Sequence, residues 1–159
     1  MKKRTWQSTQ AWVLLLVVFF TGFTVDLASK SWAFNSVADT PVELDRSLLL
    51  LNPHWSPIPV HEGKVVIPNQ ILDLRLVLND GAVFGIGSQQ RGFFIIFTFV
   101  ALCVAGWIFA NHTTPTSRIA HVAIGLILGG GLGNLFDRLF IGRVRDFLYL
   151  FPDRHLPFG

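Results

Sequence analysis

Three stretches of the chain run almost without polar interruption: Ala11 to Phe34, Phe93 to Ala110 and Ile119 to Phe136. A helix needs ~20 apolar residues to cross the hydrocarbon core of a bilayer, so three transmembrane helices are predicted over about 11–34, 93–110 and 119–136. Between the first two the period changes. Leu72, Leu74, Leu76 and Leu78 alternate with Asp73, Arg75, Val77 and Asn79, the two-residue repeat of a half-buried strand. Asn79-Asp80-Gly81 follows as a strong turn signal. Lys64–Ile67 and Leu48–Leu51 read as two further short strands. Asn52 to Pro59 holds three prolines and reads as irregular loop. The pattern predicts a membrane α-helical protein with a small external antiparallel β-sheet, the β segment falling within about 42–91. Residues 1–159 form one integral membrane domain in this reading.

Composition agrees with lipid as the main solvent. Charged residues are 14% of the chain and hydrophobic ones 51%, whereas a soluble domain carries about a quarter charged residues. The net charge of +3 is scattered without a basic stripe, which argues against nucleic acid and suits membrane phospholipids as partners. The single cysteine, Cys103, can form no intramolecular disulfide. His54 and His61 lack a metal-ligand spacing, so no metal site is expected at them. Lys2, Lys3 and Arg4 place the N-terminus in the cytoplasm. Residues 35–92 then lie outside, 111–118 form a cytoplasmic turn and 137–159 lie outside again. Arg138, Arg143, Arg145 and Arg154 thereby fall on the outer side, against the positive-inside rule, where they are placed to meet lipid phosphates. Removal of the first span as a signal peptide would need small residues at a cleavage site, and Asp26 and Lys30 crowd the one candidate, Ala28.

Polar groups at the edge of a span are costly and tend to be functional. Asp26 and Lys30 are four apart and share one face of the first helix. The third helix reads Gly129-Gly130-Gly131-Leu132-Gly133-Asn134-Leu135-Phe136-Asp137-Arg138. Its glycines permit close helix packing, while Gly130, Asn134 and Arg138, at intervals of four, line one face leading out of the bilayer. Asp146 follows a few residues beyond the helix. Hydrolysis by an aspartic mechanism needs two adjacent carboxylates that share a proton. Asp26, Asp137 and Asp146 are the candidates at the outer interface, and spacing alone does not choose among them.

Four strings resemble the motifs of signal peptidase II, in that family's order. Asp26-Leu27-Ala28-Ser29-Lys30 resembles D-x-x-S-K. Asn79 through Gly85 resembles N-x-G-A-A-F-G, with Val83 in place of the second alanine. Gly129 through Arg138 resembles G-G-x-x-G-N-x-x-D-R, with an added residue at the glycines. Val144-Arg145-Asp146-Phe147 resembles V-x-D-F. The resemblance implies an aspartic endopeptidase of the bacterial cytoplasmic (inner) membrane with its active site on the outer side. It would remove the signal peptide from diacylglyceryl-modified prolipoproteins without metal or cofactor. It also implies that Asp146 is one catalytic aspartate and that Asn79 and Gly81 belong to the external sheet near the substrate. Asp26, Lys30, Gly130, Asn134, Asp137 and Arg138 would support the site, with Asp137 a structural partner of nearby polar groups.

One part of the family pattern is missing. The second aspartate lies in an F-N-x-A-D motif opening a fourth helix, and neither that string nor a fourth apolar run occurs in residues 1–159. Asp153 stands in Phe-Pro-Asp-Arg, a different context. A C-terminally truncated chain, inactive or nearly so by itself, is the expectation. The alternative is a non-catalytic membrane protein that binds lipidated substrates or lipid head groups. A transporter or channel subunit is disfavoured, because charges gather at the interface and no inverted repeat is visible.

Overall fold

The computed structural model describes residues 5–52, 55–68, 71–81 and 90–150. The long helices are α1 (Thr9–Ser36), α3 (Arg91–His112) and α4 (Arg118–Phe136), with the short α2 (Arg46–Leu51) after α1. A π turn, Asp137–Ile141, continues α4. All three long helices have the length and apolarity to cross a membrane. Their outer surfaces carry residues such as Val17, Phe20, Ile96, Phe99 and Ile127, all exposed, which lipid rather than water would solvate. The spans are one or two residues longer at most ends than the hydropathy limits. Helix propensity and capping extend past the apolar core.

The chain forms two compact units, residues 1–27 with 95–135 and residues 28–94 with 136–159. In the first, α1 meets α4 along a glycine seam. A Cβ built on Gly125 would come 2.9 Å from Val18 Cγ1, and one on Gly129 would come 2.8 Å from Phe19 O and 2.9 Å from Phe23 N. Only glycine lets the two backbones approach so closely. Ala11, Leu15, Phe109 and Ile124 fill the core beside this seam. A buried polar knot closes one end, where the Thr5 hydroxyl donates to Thr113 O at 2.6 Å and Thr113 Oγ1 lies 3.2 Å from His121 Nε2.

The second unit is built on a three-stranded antiparallel sheet in the order β1 (Lys64–Ile67), β2 (Leu72–Asn79), β3 (Val144–Leu150). Leu74 and Leu76 of β2 pack on Ala33, Phe34, Val37, Ala38 and Val42, the end of α1 and the segment after it. The third strand is therefore 144–150 and not Leu48–Leu51, which is helical within α2. The reason is local. Asp45 caps the helix, accepting from Ser47 N at 2.8 Å, Leu48 N at 3.3 Å and the Ser47 hydroxyl. The four leucines that follow are good helix formers with no β-branched residue among them.

Hydrogen bonds from the Ser47 side chain, and then from the Leu48 and Ser47 backbone, hold the Asp45 carboxyl below its usual range. A depressed carboxylate stabilises the fold above its unfolded pKa and loses that contribution as pH falls through its folded pKa. The α2 cap therefore persists through mildly acidic pH and is released below the ordinary aspartate range. Asp45→Ala is expected to remove it at every pH, read as faster amide exchange at Ser47 and Leu48 with the sheet amides unchanged.

Candidate functional site

The sheet shifts register at two points, and the shift between β2 and β3 builds the site. Leu74 pairs with Leu148, but Val77 pairs with Asp146 and Asn79 with Val144. Arg75 and Leu76 together therefore face the single residue Phe147, a β-bulge in β2. The Leu74 register continued without the extra residue would set Leu76 opposite Asp146, on the face packed into the core. Asn79 would then point to the other face. With the bulge, Asp146 and Asn79 are diagonal neighbours on one face, and Asn79 Nδ2 donates to Asp146 Oδ2 at 3.0 Å. The bulge takes Leu76 N out of the ladder, and His61 accepts from it through Nε2 at 3.0 Å. Nδ1 of the same ring lies 2.9 Å from Pro59 O. Both ring nitrogens of His61 are thus engaged in structure.

The Asn79 amide is held from behind. Gly81 N donates to Asn79 Oδ1 at 2.9 Å, which turns the amide nitrogen toward Asp146. Arg138 Nη2 in turn donates to Gly81 O at 2.9 Å. The Arg138 guanidinium lies 5.3 Å from the centre of the Phe94 ring, and its backbone carbonyl accepts from Arg91 Nε at 2.7 Å. Arg138, Gly81 and Asn79 form a relay of contacts that ends on the Asp146 carboxylate.

Asp137 plays a different part. It is fully buried, and its Oδ1 accepts from Arg145 Nη2 at 2.8 Å and Nε at 3.2 Å. Its Oδ2 accepts from Arg145 N at 3.0 Å and lies 3.5 Å from Lys30 Nζ. The π turn closes on the same residue, since Gly142 N donates to Asp137 O at 2.9 Å. Both carboxylate oxygens are committed to Arg145 and Lys30, so Asp137 fixes the start of β3 and with it the position of Asp146.

The remaining sequence candidates lie in the first unit. Asp26 rests against α4 where Gly133 leaves room, and a Cβ on Gly133 would fall 2.0 Å from Asp26 Oδ2. Asn134 is half-buried on α4. Gly130, read from the sequence as part of the row leading out of the bilayer, has nothing within 4 Å of where a Cβ would stand, and Gly125, Gly129 and Gly133 are the glycines that face α1. His54, residues 82–85 of the second motif, Asp153 and Arg154 lie outside the described residues. Among the described residues no cluster of three His, Cys, Asp or Glu could hold a metal. An open groove of about 620 Å³ lies beside α2, lined by Glu43, Asp45, Arg46, Leu48 and Trp55 among others, and does not include Asp146.

Comparison with known proteins points the same way. The family model described as signal peptidase (SPase) II matches residues 18–158. The lipoprotein signal peptidase of Syntrophotalea carbinolica is 42% identical over 94 residues, 57% of this chain and 57% of that protein. That of Symbiobacterium thermophilum is 39% identical over 102 residues, 59% of this chain and 64% of that protein. Each of these two matches spans less than two thirds of the relative's own length. A longer match, 30% identical over 149 residues, joins 89% of this chain to 77% of the lipoprotein signal peptidase of a Sulfurihydrogenibium species. A bacterial membrane enzyme solved by the in meso method at 2.3 Å shares the fold, with a TM-score of 0.59 at 23% identity over 94% of this chain and 74% of that one.

Proposed function

This chain belongs to the signal peptidase II family, and on that premise we propose that it serves the removal of signal peptides from diacylglyceryl-modified prolipoproteins. Asp146 is one of the two carboxylates of an aspartic mechanism. The reaction runs at the outer face of the bacterial cytoplasmic membrane, with the N-terminus in the cytoplasm and phospholipid around the spans. The observation that carries this reading is the Asn79 Nδ2 to Asp146 Oδ2 contact of 3.0 Å on one face of the sheet.

In such a mechanism two carboxylates share one proton, because neighbouring charges cannot both ionise. The ionised member takes a proton from water as the water oxygen attacks the scissile carbonyl. The protonated member donates to the carbonyl oxygen; as the tetrahedral intermediate collapses, the proton taken from water passes to the leaving amine and one hydroxyl of the intermediate returns its proton to the second carboxylate. Asn79 fixes one oxygen of Asp146, and the other oxygen is assigned to the water or peptide. Asn79, Gly81 and Arg138 orient the acid. Asp137, Lys30 and Arg145 hold the strand that carries it. The F-N-x-A-D string of the second aspartate does not occur in residues 1–159, and no described residue is assigned that role.

The test uses the chain reconstituted in lipid with a diacylglyceryl prolipoprotein, and a lipidated signal-peptide fragment beside its unlipidated twin. Preferential binding of the lipidated fragment is expected, and Asp146→Asn should leave it intact. Any release of signal peptide should fall on the order of 10³-fold or more in the same variant, as for other essential catalytic groups. Equal binding of the two fragments, or cleavage that survives Asp146→Asn, would overturn the assignment.

A further inference from the structure

Beside the terminal turn of α4 the second unit carries an apolar surface that peptide hydrolysis does not use. α2 buries Leu49 alone and turns Leu48, Leu50 and Leu51 outward, Leu51 being 76% exposed. Leu48 and Leu51, three apart, share one face of the helix. Leu139 and Phe140 of the π turn are also exposed, Phe140 at 63%, as is Trp55 just after α2.

These residues are fastened into one surface. Arg46 Nε donates to Leu139 O at 3.2 Å. Arg143 donates to three carbonyls around α2, through Nη1 to Trp55 O at 2.9 Å and through Nη2 to Asn52 O at 3.0 Å and Leu49 O at 3.2 Å. A Cβ on Gly142 would stand 3.2 Å from Leu50 Cδ2, so the turn after α4 packs directly on α2. Leu139 and Phe140 stand at the end of a helix long and apolar enough to cross a membrane. The outward leucines of α2 adjoin the exposed apolar residues of that helix end. Arg46, the first residue of α2, and Trp55, just after it, are also exposed. A guanidinium pairs well with phosphate, and tryptophan concentrates where bilayer and water meet.

We propose that α2 and Trp55 form a foot seated in the head-group layer of the bilayer. Leu48 and Leu51 point to the acyl chains, Arg46 meets a glycerophospholipid phosphate, and Arg143 keeps the foot rigid. The occupant of this face is the lipid surface itself. The assignment stands apart from the cleavage chemistry and from the identity of its second carboxylate.

The test is a spin label at position 51, from Leu51→Cys in a Cys103→Ser background. The chain is reconstituted in vesicles of phosphatidylethanolamine and phosphatidylglycerol, three to one. A label from Val60→Cys, at a residue fully exposed in the loop before β1, is the aqueous reference. Collision with oxygen relative to a water-soluble nickel chelate is expected to be several-fold higher at position 51 than at position 60. Arg46→Gln should lower the ratio at position 51 and leave position 60 unchanged. Equal nickel accessibility at the two positions would overturn the proposal in favour of a solvated helix. Shielding of position 51 from both reagents would overturn it in favour of a protein occupant. Leu48→Cys gives an independent reading from the same face.

Discussion

Asp137→Ala is expected to destabilise the protein by about 3–5 kcal/mol, the cost of removing one partner from a buried ion pair. The Lys30 and Arg145 side chains are only 5% and 11% exposed, and both turn to this one carboxylate. Its removal takes an ion-pair partner from each cation and also unties the Arg145 backbone N–H at the start of β3. Reversible unfolding in mixed detergent micelles measures the effect. Adding Lys30→Met to Asp137→Ala completes a cycle that isolates the coupling between the two side chains. A loss below about 1 kcal/mol would mean that the two cations reach water when the carboxylate is gone, as exposed pairs do.

The second large effect belongs to the glycine seam. Gly129→Ala brings a methyl group to 2.8 Å from Phe19 O and 2.9 Å from Phe23 N, both backbone atoms of α1 that cannot rotate away. The helices must part, at a cost of about 1–3 kcal/mol or more, as for other overpacked interiors. Gly130→Ala, one residue along, meets nothing within 4 Å and exchanges a poor helix former for the best one. It should be neutral or stabilising. The same unfolding measurement on the two variants reads the contrast. Equal losses would show that the run of glycines acts by backbone flexibility and not by fit.

The spans were legible because bilayer thickness sets their length, and a run of apolar residues reports it directly. β2 was legible from its alternating leucines. Leu48–Leu51 was misassigned because four apolar residues in a row carry no period, and the informative residue was the cap, Asp45, just before them. β3 was missed because it follows a span with no loop to announce it, and its short alternation resembles the end of a helix. At the site, the motif containing Asp146 stood out in the sequence, but its contact with Asn79 did not. Two strand residues reveal their faces only when the register is known, and a bulge is silent in a pattern of leucines. The glycines held a readable clue that proximity to the Asn-Asp-Arg cluster obscured. Gly125, Gly129 and Gly133 repeat every four residues, and all three meet α1, Gly133 through the Asp26 side chain.

The bulge in β2 also gives the sheet a parity. Between Leu76 and the Asn79 turn, or between the π turn and Asp146 in β3, two residues can be gained or lost with every side chain keeping its face. A change of one residue exchanges the faces and sends the carboxylate inward. Among relatives, length variation in these two stretches is expected to come in even steps, while the loop ahead of β1 is free to vary by any number. A designer shortening this sheet faces the same arithmetic: excising the single residue at the bulge would yield a more regular ladder and carry Asp146 and Asn79 together onto the face of Leu74, into the apolar interior.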